Sequence, residues 1–488
     1  MQQQQIYERA RLARDARFDG QFYVAVITTG IYCRPICPAN APKSENVRFF
    51  PSAAAAGEAG FRPCLRCRPE CAPGTPAWSG TSTTVRRGLR LIANGALDDG
   101  GVEQLADRLG VTSRHLRRLF TRHIGASPLA VAHTQRLHFA KRLIDETALP
   151  LNHVYVAAGY RSIRRFNDTF KKTYGRSPRE LRKLGGETGD AGRKATLSVR
   201  LPYRQPFSWQ QLLSFFGPRM TPGVETIVDD KYQRTLSVGG KHAIVEVYPE
   251  QNPGYLNLTL HSVDTPALFE TVQQARDVFD LDAPVAEISS VLSADPLLRK
   301  TLRKYRGIRV PGAWDGFELT IRAILGQQIS VKAATTLAGR IAARYGEPLK
   351  QTAADSAGLL YLFPTAERLS RARFNNIGLV GSRAETLRRV AAAVVSGDLQ
   401  FDAANDPNEF CTALQSIKGI GDWTAQYVMM RALKNPDAFP ASDLGLLKAL
   451  RCPDRMSPTE LLRHAERWRP WRAYAALLLW NSLPGSGG

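Results

Sequence analysis

The sequence predicts an α+β multidomain chain: a small four-cysteine module, an all-α basic module, a strand-bearing α+β segment and a second all-α module. Three observations predict it. Five of the seven cysteines fall between positions 33 and 71. Alternating, β-branched stretches such as VETIVDDKYQRTLSVGGKHAIVEVYPE and YLNLTLHSV are confined to 198–283. Helical periodicity fills about 85–184 and returns from about 284 onward, broken by Gly and Pro turns. The expected domains are 1–75, 84–184, 198–283 and 284–488, with linkers at APGTPAWSGTST (72–83) and GGETGDAGRKAT (185–196).

Composition narrows the class. The chain has 488 residues, 43% hydrophobic and 23% charged, which excludes a disordered scaffold. Its net charge of +22 is uneven. Residues 1–185 carry 30 Lys and Arg against 14 Asp and Glu; the remainder carries 36 against 30. A cationic front half calls for a polyanion, most simply double-stranded DNA. No apolar run approaches the ~18–20 residues that span a bilayer. The opening MQQQQIYERARLARD has no apolar signal core. A cytoplasmic, nucleoid-associated protein is expected, and there patterned cysteines read as metal ligands rather than disulfides.

Cys33, Cys37, Cys64 and Cys67 are spaced C-x3-C, 26 residues, C-x2-C. Two close pairs across a loop suit one tetrahedral Zn2+. Cys71 lies outside the pattern; Cys411 and Cys452 are isolated. The segments GIYCRPICPAN and FRPCLRCRPE resemble the zinc domain of the Ada methylation-response proteins over about 5–72. That resemblance implies a methylphosphotriester sensor, with Cys33 as a stoichiometric methyl acceptor.

In the basic module, GVEQLADRLGVTSRHLRRLFTRHIGASP reads helix, turn, helix. Leu105, Ala106 and Leu109 form an apolar face, Gly110 makes the turn and Ser113 caps the next helix. LNHVYVAAGYRSIRRFNDTFKKTYGRSP repeats the scheme around Gly159 and Ser162. Arg114, Arg117, Arg118, Arg164 and Arg165 would face a major groove. The doubled unit resembles the AraC-type DNA-binding domain, which implies a transcription regulator. RNA polymerase is left open as its partner.

LQSIKGIGDWTAQYVMMRA (414–432) reads as a helix-hairpin-helix. Gly419 and Gly421 would allow close backbone approach to a phosphate, with helix-terminal amides facing it. Asp443 follows Trp423 by twenty residues, at the start of a helix in PASDLGLLKAL. This pairing resembles the HhH-GPD glycosylase superfamily. RQPFSWQQLLSFFGPRMTPGVETI, FELTIRAILGQQISV and AERWRPWRAYAALLLW extend the resemblance over about 198–482 to 3-methyladenine DNA glycosylase II, the AlkA type. It implies a domain like the TATA-binding-protein fold ahead of the catalytic domain, base flipping, and removal of 3-methyladenine and 7-methylguanine type bases. Asp443 would be the catalytic carboxylate. Phe215, Trp423, Tyr427 and Trp480 would form the base pocket and stack a cationic base. Thr424, with the amides of Gly419 and Gly421, would hold phosphate. Backbone carbonyls of Gln415, Ile417 and Ile420 would bind Na+ or K+. Gln328 stands where the AlkA type has an apolar wedge, and Leu444 replaces an aromatic beside the acid.

Bifunctional members place a Schiff-base lysine where this chain has Trp423, so base excision without strand cleavage is expected. Only Cys452 follows Asp443, which leaves no set for an iron–sulfur cluster. No Pro-Cys-His-Arg motif occurs, so direct reversal of O6-methylguanine is not expected. The alternatives are a transcription factor with a non-catalytic glycosylase fold and a bifunctional oxidised-base glycosylase. A monomer is expected.

Overall fold

The structure is a computed structural model describing residues 2–72, 83–98, 100–184, 196–251, 253–261, 267–349, 358–401, 406–450 and 456–483. Most of both expected linkers, and Cys452, lie outside the described residues. The chain divides into two compact units, 1–205 with 250–273, and 206–249 with 274–488. Among the described residues no helix is long and apolar enough to cross a membrane.

In the first unit a four-stranded sheet runs in the order Val47–Phe50, Tyr23–Val26, Ile31–Cys33, Arg62–Pro63. The last two strands are parallel, with Ile31 opposite Arg62 and Tyr32 opposite Pro63. This register sets Cys33 and Cys64 at adjacent strand ends. Two small apolar clusters flank the sheet, one around Tyr23, Ala25 and Tyr32, the other around Phe22 and Val24.

Two helix-turn-helix units follow. Val102–Arg108 and Ser113–Ile124 are joined through Gly110 at φ +69°; Leu151–Ala157 and Ile163–Tyr174 through Gly159 at φ +75°. Left-handed backbone at both turns explains the glycines. Leu116 and Phe120 in one second helix, and Phe166 and Phe170 in the other, are buried at i, i+4 spacing. The structure corrects one cap. Thr112, not Ser113, accepts from the His115 amide, and Ser113 is the first helical residue. Ser162 caps its helix as expected.

The long helix Pro128–Glu146 carries contacts from the cysteine module. Arg68 pairs with Asp145 and Glu146, buried Lys141 lies 3.6 Å from buried Glu70, and Tyr32 Oη lies 3.0 Å from His138 Nε2. These two modules therefore share one packed unit. Strand Thr196–Pro202 pairs antiparallel with Tyr255–His261 in the same unit.

The second unit begins with a meander, Glu225–Val228, Lys231–Val238 and Lys241–Pro249. Helices then dominate, as the periodicity predicts. Gly316–Leu325 is buried almost all round, which marks it as the central core helix. Its Glu318 bonds Arg234 at 2.8 Å, and Glu225 bonds Arg234 at 3.0 Å and Arg322 at 3.1 Å. Two acids against two guanidiniums satisfy charges that burial alone would penalise.

Candidate active site and metal centre

The hairpin is built as the sequence predicts, from helices Pro407–Gln415 and Asp422–Arg431. The two glycines serve different ends. Gly419 sits at φ +101°, and a Cβ there would lie 2.1 Å from Thr386 Oγ1. Its lack of a side chain is therefore required by the neighbouring helix Gly381–Ser396. At Gly421 an added Cβ would meet nothing within 4 Å, and this residue fronts the second helix as its N-cap. Gly421 provides no side-chain cap, so the first-turn amides, which have no carbonyl within the helix to bond, offer anion donors. Thr424 is placed otherwise than expected. It is buried, and its hydroxyl oxygen accepts from Gln327 Nε2 at 3.0 Å. Gln327 also donates to the Gly419 carbonyl at 3.1 Å, while Arg383 donates to the Gln327 carbonyl at 2.6 Å. Ile417 O accepts from the Ile420 amide at 3.0 Å.

Asp443 is the N-cap of Leu444–Ala449 and accepts from the Leu446 amide at 3.0 Å. Its two oxygens also accept from two indoles: Oδ2 from Trp423 Nε1 at 2.7 Å and Oδ1 from Trp480 Nε1 at 2.9 Å. Three donors fix the carboxylate, and none is a cation. Among the described residues no ion pair compensates its negative charge. Gly445 is needed beside it, since a Cβ there would lie 2.9 Å from Asp443 Oδ1.

This acid opens into a cavity of about 1130 Å³ whose walls include Phe215, Trp423, Tyr427, Trp480 and Gln328. All four expected pocket aromatics are thus brought together with Asp443. Trp423 stacks on Tyr427 at 5.3 Å and 12°; Tyr427 meets Trp480 edge-on at 6.4 Å. Gln328 is exposed at the rim with φ +58°, and Leu444 is 71% exposed. A left-handed Gln costs roughly 1–2 kcal/mol, a strain that clusters at functional sites.

Three arginines on the same walls were not read from the sequence: Arg219, Arg322 and Arg431. Arg219 lies 4.1 Å and Arg431 4.9 Å from the centre of the Phe215 ring. Phe215 is therefore engaged by protein cations. Arg431 Nη1 donates to Tyr427 Oη at 2.7 Å, and its other nitrogens to the carbonyls of Pro311 and Gly312. Burial works to raise the Tyr427 pKa, but the charges of Arg431 and Arg219 outweigh it and hold the phenol below its ordinary range. Among the described lining residues Asp443 is the sole carboxylate and none is a lysine.

In the first unit the ligand atoms of Cys33, Cys37, Cys64 and Cys67 all lie within 4.8 Å of one another. Tetrahedral Zn–S bonds of about 2.3 Å require sulfurs about 3.8 Å apart, so the set fits zinc. The Arg34 amide donates to Cys67 Sγ at 3.3 Å, and the Arg34 guanidinium is locked to buried Asp19. Cys71 stays outside the cluster. It is buried 3.9 Å from Glu146, and burial pushes its thiol up to about 12. The arginines expected to face DNA, Arg114, Arg117, Arg118, Arg164 and Arg165, are all exposed on their two helices. Arg117 pairs with Glu103 at 3.0 Å.

Comparison with known proteins agrees. Residues 7–70 match the metal binding domain of Ada, 105–184 a helix-turn-helix domain, 198–315 the AlkA N-terminal domain, and 321–472 the HhH-GPD superfamily of base excision DNA repair proteins. A Mycobacterium tuberculosis protein described as a probable bifunctional transcriptional activator/DNA repair enzyme AlkA is 41% identical, over 97% of this chain and 95% of its own. DNA-3-methyladenine glycosylase 2 of Escherichia coli is 34% identical over 57% of this chain and 95% of its own. The Archaeoglobus fulgidus 3-methyladenine DNA-glycosylase structure shares the fold at TM-score 0.50 and 24% identity, covering 58% of this chain and 96% of its own. The chain thus belongs to the bifunctional Ada/AlkA-type family, which joins a zinc-binding, helix-turn-helix regulator to an AlkA-type DNA glycosylase.

Proposed function

We propose that the second unit is a monofunctional 3-methyladenine DNA glycosylase II that hydrolyses the N-glycosidic bond of alkylated bases, with Asp443 as its catalytic carboxylate. The observation that carries this is an acid with no cationic partner among the described residues, held by two indoles at the mouth of an aromatic cavity. The damaged nucleotide is flipped out, with Gln328 filling the gap left in the stack. Asp443 lies against the sugar as the C1′–N bond breaks. The electron pair leaves with the base, positive charge grows on the ring, and the carboxylate stabilises it. Water adds at C1′ and loses a proton, leaving an abasic site.

The arginine walls revise how bases are told apart. A cationic base gains from the faces of Trp423 and Trp480 but meets repulsion from Arg219 and Arg431. Selectivity then rests mainly on the weakened bond of an alkylated purine. Gripping the strand falls to the hairpin amides of Gly419 and Gly421, with Thr424 acting from within through Gln327. Hairpin carbonyls of Gln415, Ile417 and Ile420 bind Na+ or K+ and stiffen the turn. With Trp423 in the lysine position and no lysine among the described residues of the walls, the enzyme releases base without cleaving the strand.

In the first unit, Zn2+ held by Cys33, Cys37, Cys64 and Cys67 would keep the sulfurs as thiolates. Cys33 Sγ attacks the methyl carbon of a methylphosphotriester; the S–C bond forms as the C–O bond breaks, and the diester leaves with the electron pair. One negative charge is lost at the site, repulsion from DNA falls, and the helix-turn-helix arginines bind more tightly. The regulator so formed would act on RNA polymerase, and the enzyme would work as a monomer. The test is release of 3-methyladenine and 7-methylguanine from methylated duplex, together with DNA binding before and after Cys33 methylation at matched salt. No base release would favour the non-catalytic regulator; equal binding would remove the switch.

A further inference from the structure

The second unit holds another cavity that the proposed chemistry does not use, with a volume of about 470 Å³. Two consecutive helices, Val285–Leu292 and Pro296–Lys304, supply its walls. Ser289 lies on the first and Ser293 is its C-cap; Arg299 and Arg303 stand four apart on the second. Arg306, in the turn that follows, completes the set. That turn is rigidly seated. Gly307 has φ +79°, and a Cβ there would lie 2.6 Å from backbone atoms of Pro206. Arg309 ties the two segments by donating to Pro206 O at 3.1 Å.

No carboxylate is among the described residues lining this cavity. Arg299 donates to Ser293 O at 3.0 Å. Among the described residues the side chains of Arg303 and Arg306 make neither an ion pair nor a hydrogen bond. Ser293 Oγ already donates to Ser290 O at 3.2 Å. The guanidiniums of Arg303 and Arg306, with Arg299 beside them and the Ser289 hydroxyl opposite, leave the hollow rich in cationic donors, which matches a tetrahedral oxyanion. The helix itself, PLLRKTLRK, carries four basic residues and no acid. That charge exceeds what one small anion would need and suits a polyanion.

We propose that this cavity is a phosphate-binding site, and that it seats a backbone phosphodiester of duplex DNA in addition to the hairpin. The proposal rests on DNA binding alone and not on which bases are excised. The test is the double variant Arg303→Gln/Arg306→Gln in the full chain, whose replaced side chains make no ion pair or hydrogen bond among the described residues. Three readouts are compared with wild type: binding of undamaged duplex across a salt series, single-turnover excision against enzyme concentration, and stabilisation by inorganic phosphate or pyrophosphate in thermal melts. The salt slope should fall by about 1–2 and half-saturation should rise about tenfold near 0.1 M salt. The rate at saturation should not change, which separates this outcome from a defect at Asp443. An unchanged slope with loss of phosphate stabilisation would assign the same site to free phosphate. An unchanged slope and unchanged phosphate response would overturn it.

Discussion

Replacing Asp443 with Asn tests the carboxylate while nearly preserving its shape. Three hydrogen bonds converge on this side chain, from two indole N–H groups and the Leu446 amide. Asn is as good an N-cap as Asp, so the bond to Leu446 survives through its carbonyl oxygen. Its NH2 group cannot accept, however, so one indole loses its partner at a cost of about 1–3 kcal/mol. The effect on rate should be larger. Two unit charges about 4 Å apart at an effective dielectric of about 20 interact by about 4 kcal/mol. Losing that stabilisation of the sugar cation lowers the rate by roughly 10³-fold. The assay is single-turnover release of 3-methyladenine from methylated duplex at saturating enzyme, with a melt to confirm folding. A folded variant within tenfold of wild type would refute the electrostatic role.

Three further outcomes are expected. Borohydride added during turnover should trap no covalent protein–DNA adduct, because no lysine is among the described walls of the cavity; a trapped band on a denaturing gel would contradict this. Purified protein should carry about one zinc, and chelation should lower the melting temperature of the first unit, because four clustered thiolates are mutually repulsive without a dication; a melt indifferent to chelation would remove the structural role. His138 is partly buried, and burial first, with Arg142 and Lys141 adding to it, lowers its pKa from 6.5 to about 4. The unfolded chain therefore binds the extra proton between those values. Stability is complete above pH 6.5 and falls as pH drops toward 4, by roughly 3 kcal/mol at about 1.4 kcal/mol per pH unit. Denaturant titrations of wild type and His138→Gln should differ in slope across that window and nowhere else.

The parts of the molecule legible in the sequence are those set by local spacing. Cys33 and Cys37, Gly110 and Gly159, and the Gly419–Gly421 hairpin each declare themselves within a few residues. What escaped is set by contacts between distant segments. Arg431 lies more than two hundred residues from Phe215, and no periodicity predicts that its guanidinium lies over that ring. Trp423 and Trp480 were readable as pocket aromatics, but not as joint donors to Asp443. The available signal was that a buried indole N–H needs an acceptor. Thr424 looked outward from the hairpin in sequence because its neighbour Gln327 joins from the turn after Gly316–Leu325. The Thr112 cap was missed by one position, because two adjacent hydroxyl residues offer the same chemistry and only backbone angles choose between them. The two-unit division is likewise invisible to composition, since the packing of the cysteine module on Pro128–Glu146 runs through single long-range pairs such as Tyr32 with His138.

The central claim is that Asp443 meets positive charge at the deoxyribose. Duplexes carrying a cationic pyrrolidine abasic analogue or its neutral tetrahydrofuran counterpart measure this directly. Wild type should bind the cationic duplex at least tenfold more tightly at the same salt, and Asp443→Asn should erase the preference. Equal affinity for the two duplexes in wild type, or a preference that survives the substitution, would contradict the account.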